Sequence, residues 1–168
     1  SPMSDTIWAR SGIYLKRGLG LIQWVEQQFS SSFTLDTSNK LFNVLNEVSL
    51  EFQLLQQIGI VVLSLSKLRS KVYKDQRDAV LDFQEEDLQD LSLNSILYAK
   101  LVIGCYETAL KCNNDEGSII NKPLIIYLNS LIFLLLSLDQ YSKNQCGIAI
   151  GMIEVAIANL SKIVPKSQ

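Results

Sequence analysis

The chain contains no histidine in 168 residues. This excludes Ser-His and Cys-His nucleophile pairs, the usual catalytic zinc sites and the commonest general base near neutral pH. Carboxylates and lysines are present but form no compact constellation along the sequence. The expectation is therefore a non-catalytic protein that uses no metal and no cofactor. Proline and glycine are scarce, at 3 and 8 residues, which disfavours a many-turned β architecture and favours long helices. Cys105, Cys112 and Cys146 form no C-x-x-C pair and leave an odd thiol under any pairing, so a reduced, cytoplasmic protein is expected. Only 19% of residues are charged and the net charge is −2, which leaves no electrostatic footprint for nucleic acid. Ser1-Pro2-Met3 reads as a cloning remnant, and no secretory leader pattern follows it.

What is present is apolar and periodic. Residues 5–29 place Trp8, Ser11, Leu15, Gly18, Ile22, Val25 and Phe29 on one heptad-like seam. Gly18 and Gly20 each weaken that helix by ~1 kcal/mol relative to Ala. Small residues on the seam predict close approach by another helix. A second helix is expected after Asp36 or Thr37, either of which suits an N-cap. Its stripe runs through Leu41, Leu45, Val48, Phe52, Leu55, Ile58, Val62 and Leu65 and continues toward Tyr73. Between residues 58 and 65 every side turns apolar, so the rod is either covered on both faces at that level, which is the expectation, or exposes a patch there. Residues 74–90 are dense in charge with few apolar anchors and read as a mobile or partly helical connection, its carboxylates solvated.

Residues 94–111 organise the chain. Wound at ~100° per residue, Ile96, Ala99, Ile103, Tyr106 and Leu110 fall on one flank. Tyr98, Val102, Cys105 and Ala109 fall on the adjoining one, and the two flanks together predict the wide apolar face of a buried helix. Lys100, Glu107 and Lys111 gather opposite. Leu97 and Leu101 belong to neither group and sit on the shoulder beside the charges, flanked by small Gly104 and Thr108. That shoulder either receives a third helix of the same chain or lines a groove for a partner helix.

After Asn113 to Gly117, a turn signal, Pro123 fits the first turn of a further helix. Residues 124–138 are strongly apolar but fall short of the ~20 needed to span a bilayer, so a buried helix rather than an integral membrane segment is expected. A loop over residues 139–144 leads to a closing helix, where Ile150, Ile153, Ile157 and Leu160 share a stripe and Ala149, Gly151 and Ala156 are small. This pair looks like one tetratricopeptide-type hairpin. The whole reads as a single all-α domain over residues 4–164, built of long antiparallel helices.

Three local patterns resemble the BRO domain, the ESCRT-associated module of ALIX, its yeast relatives and fungal PalC. SGIYLKRGLGLIQWVEQQF resembles the family's small-residue helix that runs into a Tyr-Leu or Trp-Leu end. Leu97-Tyr98-Ala99-Lys100-Leu101, followed by Cys-Tyr-Glu-Thr-Ala, resembles its Ile-Ala-Lys-Leu helix. SLDQYSKNQCGIAIGMIEVAIANL resembles its closing hairpin, with Gln145-Cys146-Gly147 in place of a Tyr-Gly step. The matches span residues 7–163, while a complete BRO domain is about twice this length.

The resemblance implies a scaffold that binds the C-terminal amphipathic helix of an ESCRT-III subunit. It further implies recruitment from the cytoplasm to endosomal membranes through partners, in endosomal sorting or, for a PalC-like member, in fungal ambient-pH signalling. The family's contact positions carry over to Leu97 and Leu101, and a further apolar contact on the preceding long helix carries over to Ile60. The alternative expectation is a generic helical-repeat interaction or homo-oligomerisation module. A membrane-inserting hairpin over residues 123–164 and an enzyme rank below both.

Overall fold

The computed structural model describes residues 2–29, 35–72, 85–112 and 121–163. Every regular element in them is a helix: α1 (Pro2–Phe29), α2 (Leu35–Val72), α3 (Glu85–Ser92), α4 (Ser95–Cys112), α5 (Asn121–Ser142) and α6 (Cys146–Leu160). The all-α expectation holds. Part of the charged connection is the short helix α3, and residues 73–84 lie outside the described residues. So do the Ser30–32 break and the turn after Asn113.

The helices pack as a linear series. Among the described residues α1 packs on α2 alone, α2 on α4, α4 on α5 and α6 on α5 alone, with α3 tucked against α2, α4 and α5. This is the nearest-neighbour pattern of a solenoid. The main core lies in its middle, where Leu54, Val61 and Leu68 of α2 meet Ala99, Val102, Cys105 and Ala109 of α4 and Leu128, Leu131 and Leu135 of α5. A fully buried side chain such as Leu135 contributes ~2 kcal/mol of transfer free energy. The buried hydroxyls in this core are satisfied by backbone carbonyls, whereas Gln57 Oε1 of α2 is buried without a hydrogen-bond partner among the described residues. Ser95 Oγ donates to the Ser92 carbonyl, Thr108 Oγ1 to Gly104, Ser130 Oγ to Ile126 and Ser137 Oγ to Leu134. Small hydroxylated residues thus sit between helices with no orphaned donor.

Helices α1 and α2 run antiparallel, because Trp8 lies over Gly59 while Phe52 lies over Gly18. The predicted α1 seam is the one that faces α2, with Ile22 buried at its centre. For α2 the reading differs in three ways. The helix already starts at Leu35, so Asp36 and Thr37 lie in its first turn and neither is the N-cap. Its single predicted stripe is replaced by two faces, since a rod between α1 and α4 must bury both sides. Leu54, Val61 and Leu68 therefore form the second face, whereas Leu55 is exposed. Residues 58–65 are also not covered all round, because Ile60 remains open.

Helix α5 is longer than the apolar run within it, reaching Ser142. The loop expected over residues 139–144 shrinks to 143–145. It is a Schellman turn: Gln145 N–H bonds the Gln140 carbonyl, Asn144 N–H bonds that of Tyr141, and Asn144 takes the left-handed φ of 59°. With that extension, Lys122–Ser142, like Lys40–Ser70, is long and apolar enough to cross a membrane by length and composition, so the length argument drawn from residues 124–138 falls. Helix α6 departs in part from its expected stripe. Ala149 and Ala156 are buried against α5 and Leu160 is half-buried, while Ile157 is exposed and Ile150 and Ile153 edge an apolar cleft with Leu88, Leu138 and Tyr141. The small residues win the interface because they allow the closest backbone approach.

Candidate partner-binding surface

Position along α4 decides what its residues can do. Ala99, Val102, Cys105 and Ala109 are almost completely buried and are spent on the core. Burial pushes the Cys105 thiol up to about 11, because a thiolate would be desolvated there. The expected wide face is narrower than its pattern, since Ile96 and Leu110 are exposed. Small Ala and Cys side chains let α2 and α5 approach closely, and the larger residues at the margins are left outside.

Leu97, Leu101, Gly104 and Thr108 follow one another at i, i+4, i+7 and i+11 and so form one stripe. Leu97 is 56% exposed and Leu101 37%. No third helix of the described chain covers them. A Cβ on Gly104 would meet nothing within 4 Å, so the stripe has a shallow saddle next to its two leucines. Thr108 differs from the expectation: it is only 7% exposed and its hydroxyl is already committed to the Gly104 carbonyl at 3.0 Å. It closes the saddle and offers no polar contact. Lys100, Glu107 and Lys111 are exposed on the adjoining side.

Ile60 lies elsewhere. It is 45% exposed on α2 and lines a cleft of about 220 Å³ between α1 and α2, together with Trp8, Gly12, Lys16, Leu55 and Gly59. The structure therefore gathers four of the five expected residues on α4 and sets Ile60 on the neighbouring α2, facing α1. The sequence reading missed this cleft and its α1 residues. Ser11 on the α1 seam and Gly12 beside it, with Gly59 on α2, were the signal available. What was lacking was the register that brings Trp8 to Gly59.

The exposed face of α4 is apolar along Leu97 and Leu101 and is bordered by Lys100, Glu107 and Lys111. A profile described as "Family of unknown function (DUF5355)" matches residues 1–168, and the chain belongs to that family. It is similar to the uncharacterized protein YGR122W of Saccharomyces cerevisiae, at 50% identity across 100% of this chain. The chain spans 41% of that relative's length. No solved structure matches it.

Proposed function

We propose that the chain is a non-catalytic adaptor that binds the C-terminal amphipathic helix of an ESCRT-III subunit along α4. The observation that carries this reading is the exposed Leu97–Leu101 pair, one turn apart beside the open Cβ position of Gly104. Two branched side chains flanking a saddle accept the apolar ridge of a helix laid across them. The resemblance of the Leu97 to Leu101 segment to the BRO-domain contact helix supplies the identity of that ligand. A relative from budding yeast suits a PalC-like role in fungal ambient-pH signalling or endosomal sorting. In this reading the protein is cytoplasmic, reaches endosomal membranes through its partners, and uses no nucleic acid, metal, cofactor or membrane span of its own.

The test is a titration of the 168-residue chain with a peptide carrying the C-terminal helix of the main polymerising ESCRT-III subunit. Loss of one central anchor costs ~2 kcal/mol, or about thirtyfold in affinity. Leu97→Asp and Leu101→Asp should each reach at least that loss with an unchanged helical circular dichroism spectrum. Absence of binding by the folded wild type sinks the reading.

A second reading is favoured by α6. Ile148, Ile150, Val155 and Ile157 are exposed on this helix, a row of apolar side chains of the kind that marks an association surface. Self-association through that face predicts an apparent mass that rises with concentration in sedimentation equilibrium.

A further inference from the structure

We propose that the outer face of α1 docks on an anionic phospholipid bilayer, with its aromatic and aliphatic side chains at headgroup depth and its cations on the lipid phosphates. The inference goes beyond the α4 reading and does not depend on it. Composition comes first. Between Ile7 and Val25 the helix carries Arg10, Lys16 and Arg17 and no carboxylate, although the whole chain has a net charge of −2. At ~100° per residue, the seam of Ser11, Leu15, Gly18 and Ile22 that meets α2 puts Ile13 and Trp24 on the opposite side of the helix. Lys16 borders that pair on one side and Arg10 and Arg17 on the other, with Leu21 and Tyr14 beyond the arginines. Glu26, the next acidic residue along α1, falls on the α2 side.

The structure leaves that face open. Among the described residues α1 packs on α2 alone. Ile13, Tyr14, Leu21 and Trp24 are exposed, as are the three cations, and no salt bridge among the described residues engages any of the three. Arg17 Cζ stands 6.0 Å from the centre of the Tyr14 ring. One guanidinium thus already rests beside aromatic surface, a pairing suited to the layer between phosphates and acyl chains. Two features select a bilayer over an acidic protein segment. Trp and Tyr flanked by Lys and Arg make the composition of an interfacial anchor, in which long cationic side chains reach up to the phosphates. The shape agrees, since a helix packed on one side presents a convex ridge, which sinks ~5–10 Å into a lipid surface without needing a complementary groove.

The experiment is co-sedimentation of the 168-residue chain with vesicles of mixed phosphatidylcholine and phosphatidylserine, beside vesicles of phosphatidylcholine alone. Wild type should bind the mixed vesicles in preference, and less tightly as salt rises. Each cation near an anionic surface contributes about fivefold, so the triple variant Arg10→Gln/Lys16→Gln/Arg17→Gln should lose about a hundredfold with an unchanged thermal melt. Tryptophan emission should shift to the blue on binding in wild type but not in Trp24→Phe, which keeps only Trp8 on the α2 side; this readout decides the matter if the triple variant does not fold. Leu101→Asp should bind vesicles like wild type, which separates this face from the α4 stripe. Absence of binding by the folded wild type overturns the proposal and leaves an acidic protein segment as the occupant to seek. Equal binding to both vesicle types, undiminished binding by the triple variant, or a blue shift that persists in Trp24→Phe also overturns it and places the lipid contact elsewhere. None of these outcomes bears on the peptide titration that tests α4.

Discussion

The ring of Phe52 lies so close to Gly18 that a Cβ there would fall 2.5 Å from Cε2 and 3.0 Å from Cδ2. The reciprocal contact is looser, since a Cβ on Gly59 would reach Trp8 Cε3 at 3.4 Å. The two glycines therefore answer the same substitution differently. Gly→Ala in a helix gains up to ~1 kcal/mol of propensity, while forcing a ring to shift in a packed contact costs ~1–3 kcal/mol. Gly18→Ala should lower the midpoint of urea unfolding, and Gly59→Ala should leave it unchanged or raise it. Combining Gly18→Ala with Phe52→Leu should recover part of the loss, and strict additivity of the two would refute direct contact.

Asn144 ends α5 in the left-handed region, at φ 59°. Asn and Gly enter that region readily, while a Cβ-branched residue is crowded there at a cost of ~1–2 kcal/mol. Asn144→Gly should therefore be close to neutral and Asn144→Val should lower Tm by a few degrees. Equal melts for the two variants would mean that the turn is not held in this geometry. The Lys143–Asp139 pair beside it, at 2.7 Å with Lys143 exposed, adds ~0.3–0.5 kcal/mol at most.

These two cases show what the sequence made legible. The all-helical class, the α1 seam and the separation of Leu97 and Leu101 from the buried face of α4 follow from periodicity, which reports which residues share a face of one helix but not whether a further helix covers that pair. Periodicity does not report how many neighbours a helix has. Helix α2 touches α1 and α4, so its apolar residues divide between two faces and one averaged stripe through both misplaces Leu55. In α6 the same limit acts through size. Hydropathy ranks Ile150 above Ala149, but closeness to α5 is set by the smaller residue, and Ala149 is the buried one. The α1–α2 cleft required the register of two helices, which no single-helix pattern contains.

Gly104 separates stability from binding. Its Cβ position is empty, so Gly104→Ala should stabilise the fold by up to ~1 kcal/mol and leave peptide affinity within a few-fold. Gly104→Leu should fold equally well, yet fill the saddle and lose affinity for the ESCRT-III helix peptide by tenfold or more. Undiminished binding by Gly104→Leu would place the ligand elsewhere.

Two adjacent residues of α6 give a paired test. Ala156 is 4% exposed and Ile157 61%, so adjacent positions should respond in opposite ways. Ala156→Leu inserts volume between α5 and α6 and should cost ~1–3 kcal/mol. Ile157→Glu changes only the outer surface and should stay within ~0.5 kcal/mol, as read from chemical denaturation. A large loss in Ile157→Glu would mean that this face is covered, as self-association requires, and the loss should then shrink as protein concentration falls.

Cys105 couples stability to alkaline pH. Burial raises its pKa from 9.0 to about 11 in the folded chain, because the thiolate is desolvated among α2, α4 and α5 side chains. Above the unfolded value the unfolded chain loses this proton first, so it binds fewer protons than the folded one and stability falls as pH rises. The contribution is fully present below pH 9.0 and is lost progressively up to about 11, on the order of 2 kcal/mol in total. The informative quantity is the difference between wild type and a variant that lacks this thiol. Urea unfolding of wild type and Cys105→Ala at pH 8 and pH 10.5 should show a steeper alkaline loss for wild type, although the variant is weaker at pH 8 because of its cavity. Exposed Cys146 supplies the kinetic counterpart: it should react with a thiol reagent in the native state at pH 8, whereas Cys105 should react only at the rate of opening. Parallel pH profiles for the two proteins, together with fast native-state labelling of Cys105, would show that the α4 core admits solvent.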